Sequence, residues 1–252
     1  MMTRFLLGCV CFCLAGCASS GSYRAERAED PYEGWNRGVY AFNEGVDAAI
    51  LSPVARGYRA VTNKPIRNGV SNFLNNLGQP VVFLNSALQG KPEAAADTFG
   101  RFVINSTIGV AGLFDPATAF GIEEHDEDFG QTLGHWGVQP GPFLMLPLAG
   151  PSNVRDLVGS GVDAALDPLN SNDFEGDTEF RTSRGALGAV SARERLDESI
   201  ELLREQPEPY IALRRNYEQS RAAAIRDGQE AEDPFADLPD FDDGDFFDDA
   251  DW

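Results

Sequence analysis

The longest uncharged stretch of the chain, Phe129–Val154, constrains the fold more than any other feature. It runs for 26 residues without Asp, Glu, Lys or Arg, and it contains four prolines and five glycines. A transmembrane helix needs about 20 apolar residues, so length alone would permit a membrane span. Proline removes backbone donors and breaks the helix, and hydrocarbon offers no partner for the carbonyls that are freed. The segment is therefore predicted to be irregular backbone that other protein protects or that borders a polar cavity.

The first 17 residues hold every cysteine of the chain, at positions Cys9, Cys11, Cys13 and Cys17. A basic residue, Arg4, precedes an uncharged and mostly apolar run of 11 residues, Phe5–Ala15. Such a run is typical of a secretory signal and is too short to cross a bilayer as a helix. Residues 1–16 are therefore predicted to be a signal peptide.

The end of this signal, Leu14-Ala15-Gly16-Cys17, resembles the bacterial lipobox. In lipoproteins of that type the Cys17 sulfur would carry a diacylglycerol and the chain would be cut before it; the alternative is a plain signal peptide with a chance cysteine. Several acyl chains anchor a protein stably, because each buried methylene contributes about 0.8 kcal/mol. Ala18 and Ser19 follow instead of an aspartate, which indicates sorting to the outer membrane. Residues 17–30 are predicted to be a lipidated linker, and the covalent lipid is the only bound group that we expect.

Most of the negative charge lies in the C-terminal segment, Asp227–Trp252. The chain has a net charge of −20, and this segment carries 12 acidic and no basic residues, which leaves −8 for the first 226 residues. Like charges with Gly and Pro oppose packing, so residues 227–252 are predicted to be a disordered acidic tail. The tail is either a solvating segment or a docking segment, because aromatic residues are interleaved with the acids. The sign of the charge and the compartment exclude nucleic acid as a partner.

The periodicity of residues 31–226 predicts an all-α domain. Apolar residues recur at helical spacing, and no alternating β-branched run exceeds four residues. Prolines and caps predict the limits of the helices. The predicted helices are Trp35–Leu51 ended by Pro53, one opened by Pro65 and interrupted at Gly78 and Pro80, Glu93–Phe114, one capped by Ser152 and ended at Asp167-Pro168, Ser183–Glu205, and Pro209–Arg226.

The helices before Phe114 differ in character from those after Ser183. Each helix of the first group is apolar on most of its circumference, whereas each helix of the second group has one apolar and one charged face. Burial in a core would explain the first group without a membrane. A lipid anchor makes a second interpretation available, in which short apolar helices lie in the membrane interface or within one leaflet.

Five stretches resemble the MlaA (VacJ) family of outer-membrane lipoproteins, and the resemblance extends from the lipobox to about Tyr217. The fifth has Glu208 where the family usually has Asp, and the acidic tail departs from the family pattern. The five stretches are "DPYEGWNR" (Asp30–Arg37), "RNGVSNFLNNL" (Arg67–Leu77), "RFVINSTIGVAGLFD" (Arg101–Asp115), "FGQTLGHWGVQPGPFLMLPLAGPSNVRD" (Phe129–Asp156) and "ELLREQPEPY" (Glu201–Tyr210).

This resemblance implies a fold, a location and a set of partners. We would expect a ring-like bundle of short amphipathic and apolar helices, embedded in the periplasmic leaflet of the bacterial outer membrane. Such proteins associate with a trimeric outer-membrane porin and remove phospholipid that has strayed into the outer leaflet. They pass it through a polar channel to a soluble periplasmic phospholipid carrier (MlaC-like), which maintains lipid asymmetry. A wet passage matters because an uncompensated charge is costly in hydrocarbon.

The resemblance also nominates candidate residues. Arg101, Arg155 and Asp156 are candidate contacts for the channel or the lipid headgroup, since ionisable groups at membrane depth usually face a cavity or a partner. The alternative for each is a structural ion pair. The candidate channel-bordering residues are Gly134, Trp136, Gly137, Gly141, Pro142, Pro147 and Gly150.

No enzymatic motif stands out in the sequence. There is no G-x-S-x-G elbow, no H-E-x-x-H and no nucleotide-binding loop, and no metal site is predicted. We therefore expect a non-enzymatic protein. Two alternatives remain: a phospholipase, and a structural lipoprotein that braces a porin or the envelope without transporting lipid.

Overall fold

The computed structural model describes residues 30–172 and 174–228. The chain divides into two units, Met1–Pro31 and Tyr32–Trp252, and every helix and strand described below belongs to the second. The predictions for the signal peptide, for Cys17 and for almost all of the linker therefore lie outside the described residues. Of the predicted acidic tail, only Asp227 and Gly228 are described; they lie in a turn, and Asp227 pairs with Lys91.

The described chain is predominantly helical, which confirms the all-α prediction. One two-stranded antiparallel sheet interrupts the helices. The elements are α1 (Glu33–Val46), a π-helical turn (Asp47–Leu51), α2 (Ser52–Val61), α3 (Lys64–Leu88), α4 (Pro92–Thr107), α5 (Pro116–Ala119), α6 (Phe129–His135), β1 (Phe143–Leu146), β2 (Gly150–Asn153), α7 (Val154–Leu166), α8 (Pro168–Ser171), α9 (Asp177–Arg195), α10 (Asp197–Arg204) and α11 (Pro209–Ile225).

Two prolines predicted to end or interrupt helices do neither. Pro53 lies in the first turn of α2, directly after the π-helical turn, in which the Ser52 amide donates to the carbonyl of Asp47, five residues back. A proline ring inside a regular helix clashes with the carbonyl four residues earlier. The wider π-helical turn changes the hydrogen-bond pattern just before Pro53 and so avoids that clash. Pro80 lies inside α3, which continues past Gly78 to Leu88 and packs along α4. Tertiary packing thus outweighs the local propensity.

Helix α4 ends earlier than predicted, at Thr107 instead of Phe114. The chain then makes a tight turn in which Val110, Ala111 and Gly112 all have positive φ. Gly109 is required here because a Cβ would lie 2.4 Å from the carbonyl oxygen of Phe114. The predicted helix Ser183–Glu205 is likewise two helices, α9 and α10, separated at Leu196, whereas the last predicted helix is confirmed as α11.

The prediction that Phe129–Val154 is irregular is wrong in part, because the segment contains the short helix α6 and the β hairpin. Phe143 pairs with Asn153 and Leu146 with Gly150. The N-cap of α7 is Asn153 instead of the predicted Ser152, because the Asn153 side-chain oxygen accepts a hydrogen bond from the Asp156 amide at 2.8 Å. Strand pairing and this cap satisfy backbone groups in a segment that cannot form a long helix.

Two asparagines on α1 hold the outer edge of β1. Asn36 accepts from the Met145 amide at 2.8 Å and donates to the Phe143 carbonyl at 3.1 Å. Asn43 accepts from the Leu148 amide at 2.8 Å and donates to the Leu146 carbonyl at 2.9 Å. Seven residues of helix span about 10.5 Å and three of strand about 10 Å, so the two spacings match. The two side chains therefore pair with β1 as a neighbouring strand would.

The packing contacts of these elements close into a circuit. The π-helical turn and α2 pack on α9, α9 on α3, α3 on α6, α6 on α11, α11 on β2, and β1 on α1. No helix within the described ranges is both long and apolar enough to cross a bilayer.

Candidate functional site

Burial in the described residues is inverted relative to a water-soluble protein. Eight hydrophobic residues are buried, against 22 polar or charged ones, and 27 large hydrophobic residues are exposed. Soluble proteins bury mainly aliphatic and aromatic side chains and leave charged ones outside. Apolar surface on this scale indicates contact with another apolar medium, either a membrane or a partner protein.

The inversion is clearest in the α3–α4 pair. Phe99 and Val103 of α4 are exposed, as are Ile108 and Phe114 in the turn that follows α4. The buried polar side chains of the pair are Asn76, Gln79, Asn85, Ser86, Thr98, Arg101 and Asn105.

Hydrogen bonds connect this polar interior to the neighbouring helices. Thr132 of α6 donates to the Asn85 side-chain oxygen at 2.9 Å, and Asn85 donates to Asp163 of α7 at 2.8 Å. Gln89 donates to Thr132 at 3.1 Å and to the Glu127 carboxylate at 2.8 Å. Buried polar groups are tolerated when they are paired in this way, because each bond offsets the loss of water.

A cavity of about 480 Å³ lies between the turn after α6, the β hairpin and α11. Three of the predicted channel-bordering residues, Gly134, Gly137 and Gly141, line it together with Arg155. Its other walls combine apolar groups such as Phe143 with polar groups from α11. The uncharged segment therefore borders a cavity whose lining is partly apolar and partly polar, and α11 forms its other side.

The other predicted residues of the segment lie elsewhere. Trp136 is half exposed, and its indole Nε1 donates to the Leu88 carbonyl at 3.2 Å. Pro142 and Pro147 flank β1, and Gly150 opens β2 with a φ of 86°. These positions shape the hairpin and do not line the 480 Å³ cavity.

Arg155 is the charged side chain best placed in this cavity. It is buried, its Nε donates to Asp156 Oδ1 at 2.9 Å, and its Nη1 contacts the Val138 carbonyl at 3.4 Å. A Cβ on Gly134 would lie 2.9 Å from Arg155 Nη1 and 2.7 Å from Ile225 Cδ1, so only glycine leaves room for this arrangement.

Asp156 occupies the centre of the hydrogen-bond network beneath the cavity. Its Oδ2 accepts from Arg221 at 2.8 Å, from Tyr217 at 2.5 Å and from Asn153 at 2.8 Å, while its Oδ1 accepts from Arg155. Burial alone would raise its pKa, but the bonds from Arg221, Tyr217 and Arg155 outweigh burial and lower the pKa. Both oxygens are thus occupied, and Asp156 orients Arg155.

Sequence reasoning missed Tyr217, Arg221 and Asp128. Arg221 donates to both Asp128 oxygens, at 2.6 and 2.9 Å, and so ties α11 to the cap of α6. Burial would raise the Asp128 pKa, but the bond from Arg221, the charge of Arg221 and the bonds from Gln131 together outweigh burial and lower the pKa. Tyr217 and Arg221 are four residues apart on α11 and share a face, a signal that the sequence did contain.

Arg101 borders a different and much smaller space from Arg155. Its guanidinium donates to Asp115 at 2.9 Å, to the Ile122 carbonyl at 2.8 Å and to Thr118 at 3.1 Å. A polar cleft of about 30 Å³ lies beside it. These contacts hold the turn after α4 and α5 in place, which is the geometry of a structural ion pair.

The sequence model of the MlaA lipoprotein family matches residues 28–224. The chain belongs to the MlaA lipoprotein family. The matched range contains the inverted helices, the hairpin and the whole network around Asp156, and it ends before the acidic tail.

Curated MlaA relatives cover most of this chain. The protein named intermembrane phospholipid transport system lipoprotein MlaA is 39% identical over 210 residues in Shigella flexneri, covering 81% of each chain. The protein of the same name in Haemophilus influenzae is 35% identical over 221 residues, covering 86% of this chain and 87% of that one.

A solved structure shares the fold. It was determined in work on the structural basis for maintenance of bacterial outer membrane lipid asymmetry. It is 36% identical, covers 78% of this chain and 98% of its own, and superposes with a TM-score of 0.69. The match thus covers nearly the full length of the solved chain, and the rest of this chain lies outside it.

Proposed function

We propose that this chain is an outer-membrane lipoprotein that removes mislocalised phospholipids from the outer leaflet through a polar channel and so maintains lipid asymmetry. Its relatives named for intermembrane phospholipid transport, and the similar structure from work on lipid asymmetry, support this proposal. The inverted burial of residues 30–172 and 174–228 carries it. Apolar side chains face outward and polar ones inward, as a protein solvated by lipid around a wet interior requires.

The membrane placement follows from the same observation. The exposed hydrophobic residues would meet acyl chains of the periplasmic leaflet, and lipids on Cys17 would hold the chain there. Helix α4, with 16 residues, is about 24 Å long and so is shorter than the roughly 30 Å hydrocarbon core of a bilayer.

The cavity beside Arg155 supplies a surface for a lipid headgroup. A buried guanidinium offers donors in a planar arrangement that matches phosphate oxygens. Asp156 orients this guanidinium, and the network from α11 keeps the site rigid. No bond is made or broken in this function, so the chain acts without catalysis and the direction of transport comes from the acceptor.

The partners follow from the same proposal. The acceptor is a soluble periplasmic phospholipid carrier, and the exposed apolar surface also suits a trimeric outer-membrane porin. The alternative is a structural lipoprotein that braces the porin without transporting lipid. A measurement of phospholipid in the outer leaflet distinguishes this alternative from transport.

The experiment deletes the gene and measures phospholipid in the outer leaflet by surface labelling. Surface phospholipid should rise, and Arg155→Gln should restore the protein but not the asymmetry, whereas the exposed control Arg56→Gln should restore both. Cys17→Ala should leave the protein unanchored and inactive. Unchanged surface phospholipid in the deletion strain, with normal porin levels, would contradict transport.

A further inference from the structure

An apolar groove of about 560 Å³ lies between the end of α3 and the start of α4, on the side opposite the polar interior. Its lining is almost entirely apolar, which suits a hydrocarbon chain, and Phe99 on its wall is more than half exposed. The groove ends at the α3–α4 turn, where Gly90, Lys91 and Pro92 close it. The side chains that form its walls are Phe83, Ala87, Ala95, Ala96 and Phe99.

The turn at the end of the groove offers hydrogen-bond donors and positive charge. Lys91 precedes the 16-residue helix α4 and supplies no side-chain cap. The Ala95 amide bonds the Lys91 carbonyl, while the amides of Glu93 and Ala94 have no partner in the described part of the chain. Free first-turn amides, the helix dipole and a lysine together favour a phosphate group.

Lys91 is charged and retains one donor. Its Nζ donates to Glu127 at 2.8 Å and to Asp227, which leaves the third N–H available. Burial alone would lower its pKa, but the hydrogen bonds to Asp227 and Glu127 outweigh burial and raise the pKa.

Beyond Lys91 the surface becomes acidic. A depression of about 910 Å³ shares Lys91 and Pro92 with the apolar groove. Lys91 and Arg221 are its cationic residues, and both are already paired with carboxylates. The carboxylates that line it are Glu93, Glu123, Glu124, Asp126, Glu127 and Asp227.

The apolar groove, the start of α4 with Lys91, and the acidic depression follow one another in the same order as the acyl chain, phosphate and ammonium of an amine phospholipid. We propose that the α3–α4 turn binds a zwitterionic phospholipid with an amine headgroup: an acyl chain in the groove, its phosphate at Lys91 and the start of α4, and its ammonium in the acidic depression. This inference rests on the proposed function and adds a headgroup preference. An anionic phospholipid would bring no cation and would meet uncompensated carboxylates, which repel it.

A divalent cation fits the depression less well than an ammonium group. No group of three His, Cys, Asp or Glu side chains within residues 30–172 and 174–228 converges closely enough to hold a metal ion. Dispersed carboxylates instead suit an ammonium with three donors directed apart.

The experiment uses the full-length lipidated protein in an uncharged detergent. Isothermal titration compares dihexanoyl phosphatidylethanolamine with dihexanoyl phosphatidylglycerol. We expect the ethanolamine lipid to bind about tenfold more tightly. Phosphoethanolamine without acyl chains should bind more weakly than the lipid, because the groove is then empty, and Ala96→Trp should weaken both lipids by filling the groove.

Charge variants separate the parts of the site. Neutralising three unpaired lining acids with Glu93→Gln, Glu123→Gln and Asp126→Asn should abolish the preference. The matched control neutralises three exposed acids elsewhere, with Glu175→Gln, Glu198→Gln and Glu205→Gln, and should retain it. Lys91→Gln should weaken both lipids by a similar factor, and thermal unfolding of each variant verifies that the fold is kept.

The outcomes distinguish this inference from the function on which it rests. Equal affinity for the two lipids, or a preference that survives the triple variant, overturns the inference and leaves lipid transport intact. Equal binding of phosphoethanolamine and the lipid overturns the role of the groove. If neither lipid binds to the wild type, the proposed function loses its support as well.

Discussion

The α3–α4 pair and the region formed by α1, the β hairpin and α11 solve the burial problem in opposite ways. In the first, amides, hydroxyls and Arg101 are buried while Phe99 and Val103 are exposed. In the second, Val39, Phe143, Met145 and Tyr210 form the apolar cluster of the described residues. The two regions thus differ in which side chains they bury.

The two regions also differ in what holds them together. The Phe143 ring packs edge-on against Tyr210 and Tyr217, with ring centroids 6.2 and 5.9 Å apart. Such packing stabilises by removing apolar area from water. The buried side chains of α3 and α4 are polar except for Ala94 and Ala95, and hydrogen bonds such as the one from Thr132 to Asn85 link them to neighbouring helices. We therefore expect that stability and membrane binding can be changed separately in this protein.

The largest effect is expected from breaking the polar interior. Arg101→Ala removes the cation that pairs with Asp115, which keeps only its neutral donors Asn105 and Thr118, and it takes the guanidinium donor from the Ile122 carbonyl. It should lower the free energy of unfolding by about 3–5 kcal/mol, because the Asp115 charge is left without its cation. Denaturant unfolding in an uncharged detergent measures it. The exposed control Arg56→Ala should change little, and equal effects of the two variants would mean that the polar interior is not structural.

A somewhat smaller effect is expected from the apolar cluster. Met145→Ala leaves a cavity among buried residues and should lower the free energy of unfolding by about 2–4 kcal/mol. Phe99→Ala, on the outside of α4, should change it by less than about 0.5 kcal/mol. The same variant should lower the membrane-bound fraction in a vesicle flotation assay, which Met145→Ala should leave unchanged. The reverse pattern would abolish the contrast between the two regions.

The asparagines of α1 sharpen the comparison further. Asn36→Ala leaves the buried Met145 amide and Phe143 carbonyl unpaired and should lower the free energy of unfolding by about 1–3 kcal/mol. Asn43→Ala exposes its partners to water and should have a smaller effect, because Leu148 is 68% exposed. Hydrogen exchange of the hairpin amides measures both. Equal protection in the two variants would show that burial does not decide the effect.

The smallest effect concerns pH. Because the folded-state pKa of Asp156 is lowered, its contribution to stability is complete above the unfolded value near 3.9 and is lost as pH falls through the folded value. Tyr217→Phe removes one of the bonds that lower this pKa, so it should reduce stability at pH 7 by about 1 kcal/mol and make the loss on acidification shallower. Unfolding curves between pH 7 and acid measure the slope. If Tyr217→Phe left the slope unchanged, Asp156 would not be the group that causes the loss of stability in acid.

Part of the candidate site could be predicted and part could not. Arg155 and Asp156 stood out because they follow the uncharged segment, and the structure places Arg155 in the cavity that this segment borders. Arg221 and Tyr217 were missed because α11 lies some 60 residues further along the chain. Their four-residue spacing shows that they share a face of α11, but it does not show which distant segment that face contacts.

The amino-acid sequence determined the helical content, the uncharged segment that cannot span a bilayer, the start of α11 and the family motifs, since these depend on local propensity and residue order. Only the tertiary structure decided that Pro53 and Pro80 are accommodated, that a hairpin forms, and which face of α3 and α4 points inward. The physical reason is that periodicity separates an apolar from a polar face without stating which of them meets protein. That choice depends on the medium around the helices and on partners such as Asp115 and Thr132, which other segments supply.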